Sequence, residues 1–202
     1  MKYKGKQITQ ETVVENLLRW LEVSDHSGFN WYTDANVFAT ELCIKHKLPI
    51  FVVAVIISAF SPMKNWEENK RLATNFIRYK KTSGIYPENL RKAQAILKAT
   101  NPEQVAQILN GRKQIRFFWN IFKPDEVTGV TIDRHALACC FQYDEVEALD
   151  DNFSRMTPNQ YKFFEDCYIV VGELTGILPH RMQAILWEDY RIKRGLKYSI
   201  NE

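Results

Sequence analysis

Apolar positions recur along this chain at helical spacing almost from its start. Val13, Val14, Leu17, Leu18 and Leu21 mark one face of a helix over 12–23. Residues 24–32 (SDHSGFNWY) read as a polar, Gly-containing loop, and Thr33 or Asp34 then caps a helix carrying Val37, Phe38, Leu42 and Ile44. Pro49 opens the segment PIFVVAVIISAF, which is apolar all round. Its β-branched residues suit a strand, but without alternation or a partner strand the pattern predicts a central buried helix, ended by Ser61-Pro62.

Asn65 and Glu68 are spaced as a capping box for a helix with Leu72, Phe76 and Ile77, stopped by Ser83-Gly84. Pro87 and Pro102 start two further helices, the second ended by Asn110-Gly111 in left-handed cap chemistry. Ile115, Phe118, Trp119 and Phe122 mark the next helical face, closed by Lys123-Pro124. After a loop over 125–129, Asp133 caps a helix running to Phe141, and residues 143–156 are acidic and irregular. Thr157-Pro158-Asn159-Gln160 opens a long helix closed by Thr175-Gly176, and Pro179 opens a last one ending near Gly195. The fold class is all-α: about ten short helices in two lobes.

Composition changes this picture little. A hydrophobic content of 46% and a charged content of 25% are those of a globular chain, which excludes disorder as a class. The net charge of +3 permits a nucleic-acid partner without demanding one. Cys43, Cys139, Cys140 and Cys167 form no metal-like spacing and are expected as buried free thiols in a reducing compartment. The longest apolar run, 50–60, is too short for a membrane span, and MKYKGKQ lacks a signal-peptide core. A soluble, cytoplasmic protein with no membrane partner is expected.

The chemistry concentrates between Gly111 and Ala136. Val130-Thr131-Ile132 delivers Asp133, Arg134 and His135 in succession. Asp133 is either a plain helix N-cap or a carboxylate held ionised to face a developing cation; His135 is a core histidine or a proton shuttle, and Arg134 an ion-pair partner or a substrate contact. Gly111-Arg112-Lys113 is either a solvated basic turn or a phosphate contact with an amine nucleophile at Lys113. Ser61, Lys64, Asn65, Trp66 and Asn69 combine a helix break with an aromatic and two amides, suited to capping and core packing or to stacking on and reading a base. Gln183 and Trp187, four apart on one helix, are core or a pocket wall.

Taken in order, these parts resemble a known family. Ile56-Ile57-Ser58-Ala59-Phe60-Ser61-Pro62 resembles the early helix end of the helix-hairpin-helix DNA glycosylases, and Leu90-Arg91-Lys92-Ala93-Gln94-Ala95-Ile96 their following helix. Leu109-Asn110-Gly111-Arg112-Lys113 is similar to their hairpin, and Val130-Thr131-Ile132-Asp133-Arg134-His135 to their Val-Asp-Thr-His segment. The hairpin here lacks the family's Pro and Gly-Val-Gly pattern. The resemblance implies one glycosylase-like unit over 1–202, with a central lobe at about 50–141 and a second lobe from about 1–48 and 157–195. It implies double-stranded DNA as partner, with a base flipped into an interlobe cleft for excision. Asp133 would then be the catalytic carboxylate and Lys113 the candidate Schiff-base nucleophile. The four-cysteine iron–sulfur loop of many members has no counterpart, so neither cofactor nor metal is expected.

The chain is also similar to bacteriophage proteins with Asp-Arg-His-Ala and Pro…Gln-Ala-Ile…Trp patches, and to glycosylase-fold enzymes of phage thymine hypermodification. That likeness implies a transferase attaching an amine or amino acid to a thymine, with Asp133 or His135 as base, acting in the cytoplasm of a bacterial host. A non-catalytic DNA-binding or host-interaction protein on the same fold stands as the third expectation.

Overall fold

The structure, a computed structural model of the chain, describes residues 1–3, 5–126, 129–141 and 156–193. The all-α class holds. Ten α-helices are present among the described residues, with a minimal antiparallel hairpin, β1 (Lys2–Tyr3) and β2 (Lys6–Gln7), in which Lys2 faces Gln7 and Tyr3 faces Lys6. Two residues per strand are too few to alternate, so the pattern does not reveal this pair. The expected acidic stretch at 143–156 lies, but for Met156, outside the described residues, as does the helix end near Gly195.

The chain divides into two compact units: Met1–Trp31 with the described part of Asp125–Ser199, and Tyr32–Pro124. These boundaries differ from lobes at about 50–141 and the two ends. The segment after Pro124 joins the terminal helices because its hydrogen bonds go there, as detailed below.

In the first unit, α1 (Gln10–Glu22) is capped by Thr9, whose hydroxyl accepts from the Thr12 N–H at 3.2 Å, and buries Val13, Leu17, Trp20 and Leu21. It packs on α9 (Pro158–Thr175) and α10 (Pro179–Lys193), and α8 (Arg134–Cys139) packs on α10. Thr157 and Gln160 form the expected capping box of α9, and Gly176 ends it with φ +71°. The expected loop at 24–32 contains a 3-10 turn, Ser27–Asn30, seated on α10. Gly28 makes that seat possible: a Cβ there would stand 2.3 Å from the Ala184 carbonyl oxygen.

The second unit is built around α3 (Ile50–Phe60), the expected central helix, in which every residue from Val52 to Phe60 is buried. Around it pack α4 (Trp66–Tyr79), α5 (Pro87–Ile96), α6 (Pro102–Leu109) and α7 (Arg112–Phe122). Two expectations fail locally. Helix α2 (Trp31–His46) starts before Thr33, leaving Asp34 in its first turn, and it buries Ala35, Ala39 and Leu42 while Val37 and Ile44 stand exposed. Helix α4 ends at Tyr79 because Lys80 adopts a left-handed conformation, φ 57°, before Ser83-Gly84 is reached.

Candidate functional site

Asp133 sits at the end of a buried extended run that side chains of α9 hold in place. The Tyr161 hydroxyl donates to the Val130 carbonyl at 2.8 Å and accepts from the Ile132 N–H at 2.9 Å, while Glu165 Oε1 accepts from the Val130 N–H at 3.0 Å. These three bonds satisfy backbone that has no strand partner among the described residues, which lets Val130 and Ile132 be buried. The run then delivers Asp133 in β geometry as the N-cap of α8. One oxygen, Oδ1, accepts from both the His135 and Ala136 N–H groups at 2.9 Å. The other, Oδ2, has no hydrogen-bond partner among the described residues, and Asp133 is half-buried.

The far end of α8 is fixed equally well. The Ala136 carbonyl accepts from the Tyr168 hydroxyl at 2.7 Å, the Cys139 thiol donates to the Leu186 carbonyl at 3.5 Å, and Asn16 Nδ2 donates to the Cys140 carbonyl at 3.1 Å. Beside Asp133, Arg134 Nε donates to His135 Nε2 at 3.3 Å, which makes that nitrogen an acceptor. The His135 ring lies 5.5 Å from Tyr190, and Tyr190 meets Trp20 edge-on at 6.0 Å. Lys193 Nζ stands 5.1 Å over Trp20 and 2.7 Å from Asp189 Oδ2. Burial pushes the Cys139 thiol well up, and the neighbouring charges of Asp133 and Asp189 push it further. Asp133, His135, Cys139, Asp189, Tyr190 and Lys193 thus make one polar-aromatic neighbourhood within the first unit.

Charged residues of α10 were not singled out by the sequence. In the fold Glu188, Asp189 and Arg191 are all buried. Burial raises Glu188 to about 7, against the pull of Arg191, whose Nη1 is 3.7 Å from Oε1, and with some help from Asp25. The Arg191 guanidinium lies 4.4 Å over the Trp187 ring, and Trp187 meets Trp31 edge-on at 5.5 Å. Gln183 is buried on the same helix. Gln183 and Trp187 therefore serve the packing of the first unit. Tyr161 and Glu165, which position the Asp133 run, were also missed, since nothing in their own helix marks them as partners of a segment about 30 residues earlier.

The other sequence candidates belong to the second unit. Gly111 (φ −114°) is the N-cap of α7 and supplies no side-chain bond, while Arg112 and Lys113 are exposed. Asn110 carries the expected left-handed cap, φ 61°, and Lys92 Nζ donates to the Leu109 carbonyl at 2.9 Å. In the Ser61–Asn69 cluster the side chains of Ser61, Lys64, Asn65 and Trp66 are engaged in the fold, while the buried Asn69 Oδ1 has no hydrogen-bond partner among the described residues. The Ser61 hydroxyl donates to the Ser58 carbonyl at 2.9 Å, and Asn65 Oδ1 accepts from the Glu68 N–H at 2.8 Å. Glu68 pairs with Lys64 at 2.7 Å where a capping box was expected. Trp66 is buried edge-on to Phe38, and Asn69 is buried too, which takes both out of solvent. Among the described residues, no group of three His, Cys, Asp or Glu side chains converges to hold a metal ion, and no helix is long and apolar enough to cross a membrane.

A sequence profile described as "Family of unknown function (DUF7178)" matches residues 2–194. The chain belongs to this family. No curated protein and no solved structure matches it. In this member of DUF7178 the unit boundaries expose a charge division that the total hides. Residues 32–124 hold 15 Lys and Arg against six Asp and Glu, a net +9, so the remaining residues hold 12 against 18, a net −6.

Proposed function

We propose that this protein is an enzyme acting on a DNA base, with Asp133 as its catalytic carboxylate. One observation carries the reading: the capping bonds fall on Oδ1 alone, so a rigidly held Asp133 keeps Oδ2 for substrate. In an excision reaction the bond between base and sugar C1′ breaks and its electron pair leaves with the base. The carboxylate stabilises the resulting oxocarbenium and takes a proton from the water that adds at C1′. The net +9 of the second unit and the exposed Arg112 and Lys113 beside the uncapped α7 N-terminus support a phosphate-rich substrate. Buried Trp66, Asn69 and Gln183 and half-buried Trp187 have no direct part in this reading.

A second chemistry is favoured by the acceptor nitrogen of His135. Beside a carboxylate, it suits removing a proton from an amine that attacks an activated thymine substituent, leaving the base in place. Mass spectrometry of DNA incubated with the protein separates the two, since excision removes a base and transfer adds mass. Asp133→Asn keeps the cap and removes the charge, so it should lower either activity by at least ~100-fold with folding unchanged. DNA of unchanged mass with wild type, across normal, uracil-containing and 5-substituted substrates, would leave a binding protein. A borohydride-trapped adduct lost in Lys113→Ala would assign the amine nucleophile.

A further inference from the structure

The connection between α4 and α5 has the makings of a second nucleic-acid contact, independent of Asp133. Tyr79, the last residue of α4, is 52% exposed, and Tyr86, the N-cap of α5, is 57% exposed. Large aromatic side chains left this far in solvent at both ends of one short connection are unusual in a fold that buries thirteen of its other aromatic side chains, from Tyr3 to Tyr190. Three cations flank the first ring: Arg78, Lys80 and Lys81 are exposed, and no acid pairs with any of them among the described residues. By contrast, several basic residues nearby pair with acids: Lys64, just before α4, and Arg71 with Glu68, Lys70 with Glu67, and Arg91 with Glu88.

The local geometry suits a strand of bases. The Arg78 guanidinium carbon lies over the Tyr79 ring at 4.9 Å from its centre, so a cation and an exposed ring are already paired at the surface. Lys80 is turned into the left-handed region at φ 57°, which ends α4 and directs the following residues away from the helix path. A ring can stack only on a base whose face is open, which is the state of a single strand, while closely spaced cations follow its phosphates. We propose that Arg78–Tyr86 is a binding site for single-stranded nucleic acid, in which Tyr79 and Tyr86 stack on bases and Arg78, Lys80 and Lys81 contact the backbone.

Fluorescence anisotropy of the full chain with a labelled oligothymidine tests this. Tyr79→Ala and Tyr86→Ala should each weaken binding by about fivefold or more, while Tyr79→Phe retains it, because a ring is what is needed. Lys80→Ala and Lys81→Ala should each reduce the slope of log affinity against log salt by about 0.7. Base chemistry is read separately, by the mass of the DNA, so loss of base chemistry and loss of this site fail separately. The changes to Tyr79, Lys80, Lys81 and Tyr86 are all at exposed positions, and circular dichroism checks that each variant folds. Oligothymidine affinity unchanged in the Tyr79→Ala, Tyr86→Ala double variant would overturn the proposal. So would tyrosine-dependent binding of phosphatidylserine vesicles with no binding of the oligonucleotide.

Discussion

The two oxygens of the Asp133 carboxylate do different work, and substitution can separate them. Asparagine offers the same Oδ1 acceptor to the His135 and Ala136 N–H groups, so Asp133→Asn should melt close to wild type; alanine offers none and should cost about 1 kcal/mol in urea unfolding. A loss of activity in the asparagine variant without a loss of stability then belongs to charge. That Asp133 caps a helix was legible, because an Asp before an apolar helical run is a local signal. The state of Glu188 was not, because its burial depends on the 3-10 turn and helices packed around α10. With Glu188 raised to about 7 in the folded chain and ordinary in the unfolded one, the folded state holds the extra proton between about pH 4.5 and 7. Its contribution is therefore fully present below about 4.5 and lost as pH rises through 7, a loss on the order of 3 kcal/mol by pH 8. Urea denaturation at pH 5 and pH 8 measures it. Glu188→Gln should flatten that difference, and an unchanged pH profile in the variant would assign it to another group.

Between Val130 and Asp133 the stabilising unit is an extended run clamped by a helix. Tyr161→Phe removes one hydroxyl that both donates to the Val130 carbonyl and accepts from the Ile132 N–H, leaving two buried backbone groups unsatisfied. A destabilisation of about 2–4 kcal/mol is expected by denaturant titration, with activity falling as Asp133 loses its fixed position. A loss under about 0.5 kcal/mol would mean that water replaces the hydroxyl. Sequence periodicity found α3, the capping box of α9 and the caps of α6 and α8 because each is written within a few residues. It missed the clamp, whose partners are 29 to 35 positions apart, and it missed the end of α4, where Lys80 rather than a glycine turns left-handed. The 3-10 turn shows the same limit. Gly28 reads as loop punctuation, whereas its close approach to Ala184 makes it a packing residue, and Gly28→Ala should cost at least ~2 kcal/mol.

At the scale of the whole molecule, the net +3 averages two units of opposite sign, a division that the sequence contains but shows only once the boundaries after Trp31 and Pro124 are known. The four thiols are divided in the same way, and they offer a probe of each unit in the intact chain. Cys139, Cys140 and Cys167 are buried in the core shared by α8 and α9, and burial raises all three, Cys167 to about 12 and the other two well above the usual thiol range. Cys43, on α2 in the second unit, is only half-buried. A disulfide reagent attacks the thiolate and needs access to it, so both factors protect the first three in the native state. At pH 8 the native chain should therefore release about one equivalent quickly, and that phase should vanish in Cys43→Ser. The other three should react only as the first unit opens, at a rate that rises with denaturant and reaches four equivalents in total once the chain is unfolded. Tyr161→Phe, by loosening the clamp on the Asp133 run, should speed those three without changing the Cys43 phase. A Cys139 that reacts as fast as Cys43 in the native wild type would contradict the packing of α8 on α10, and with it the fixed position of Asp133.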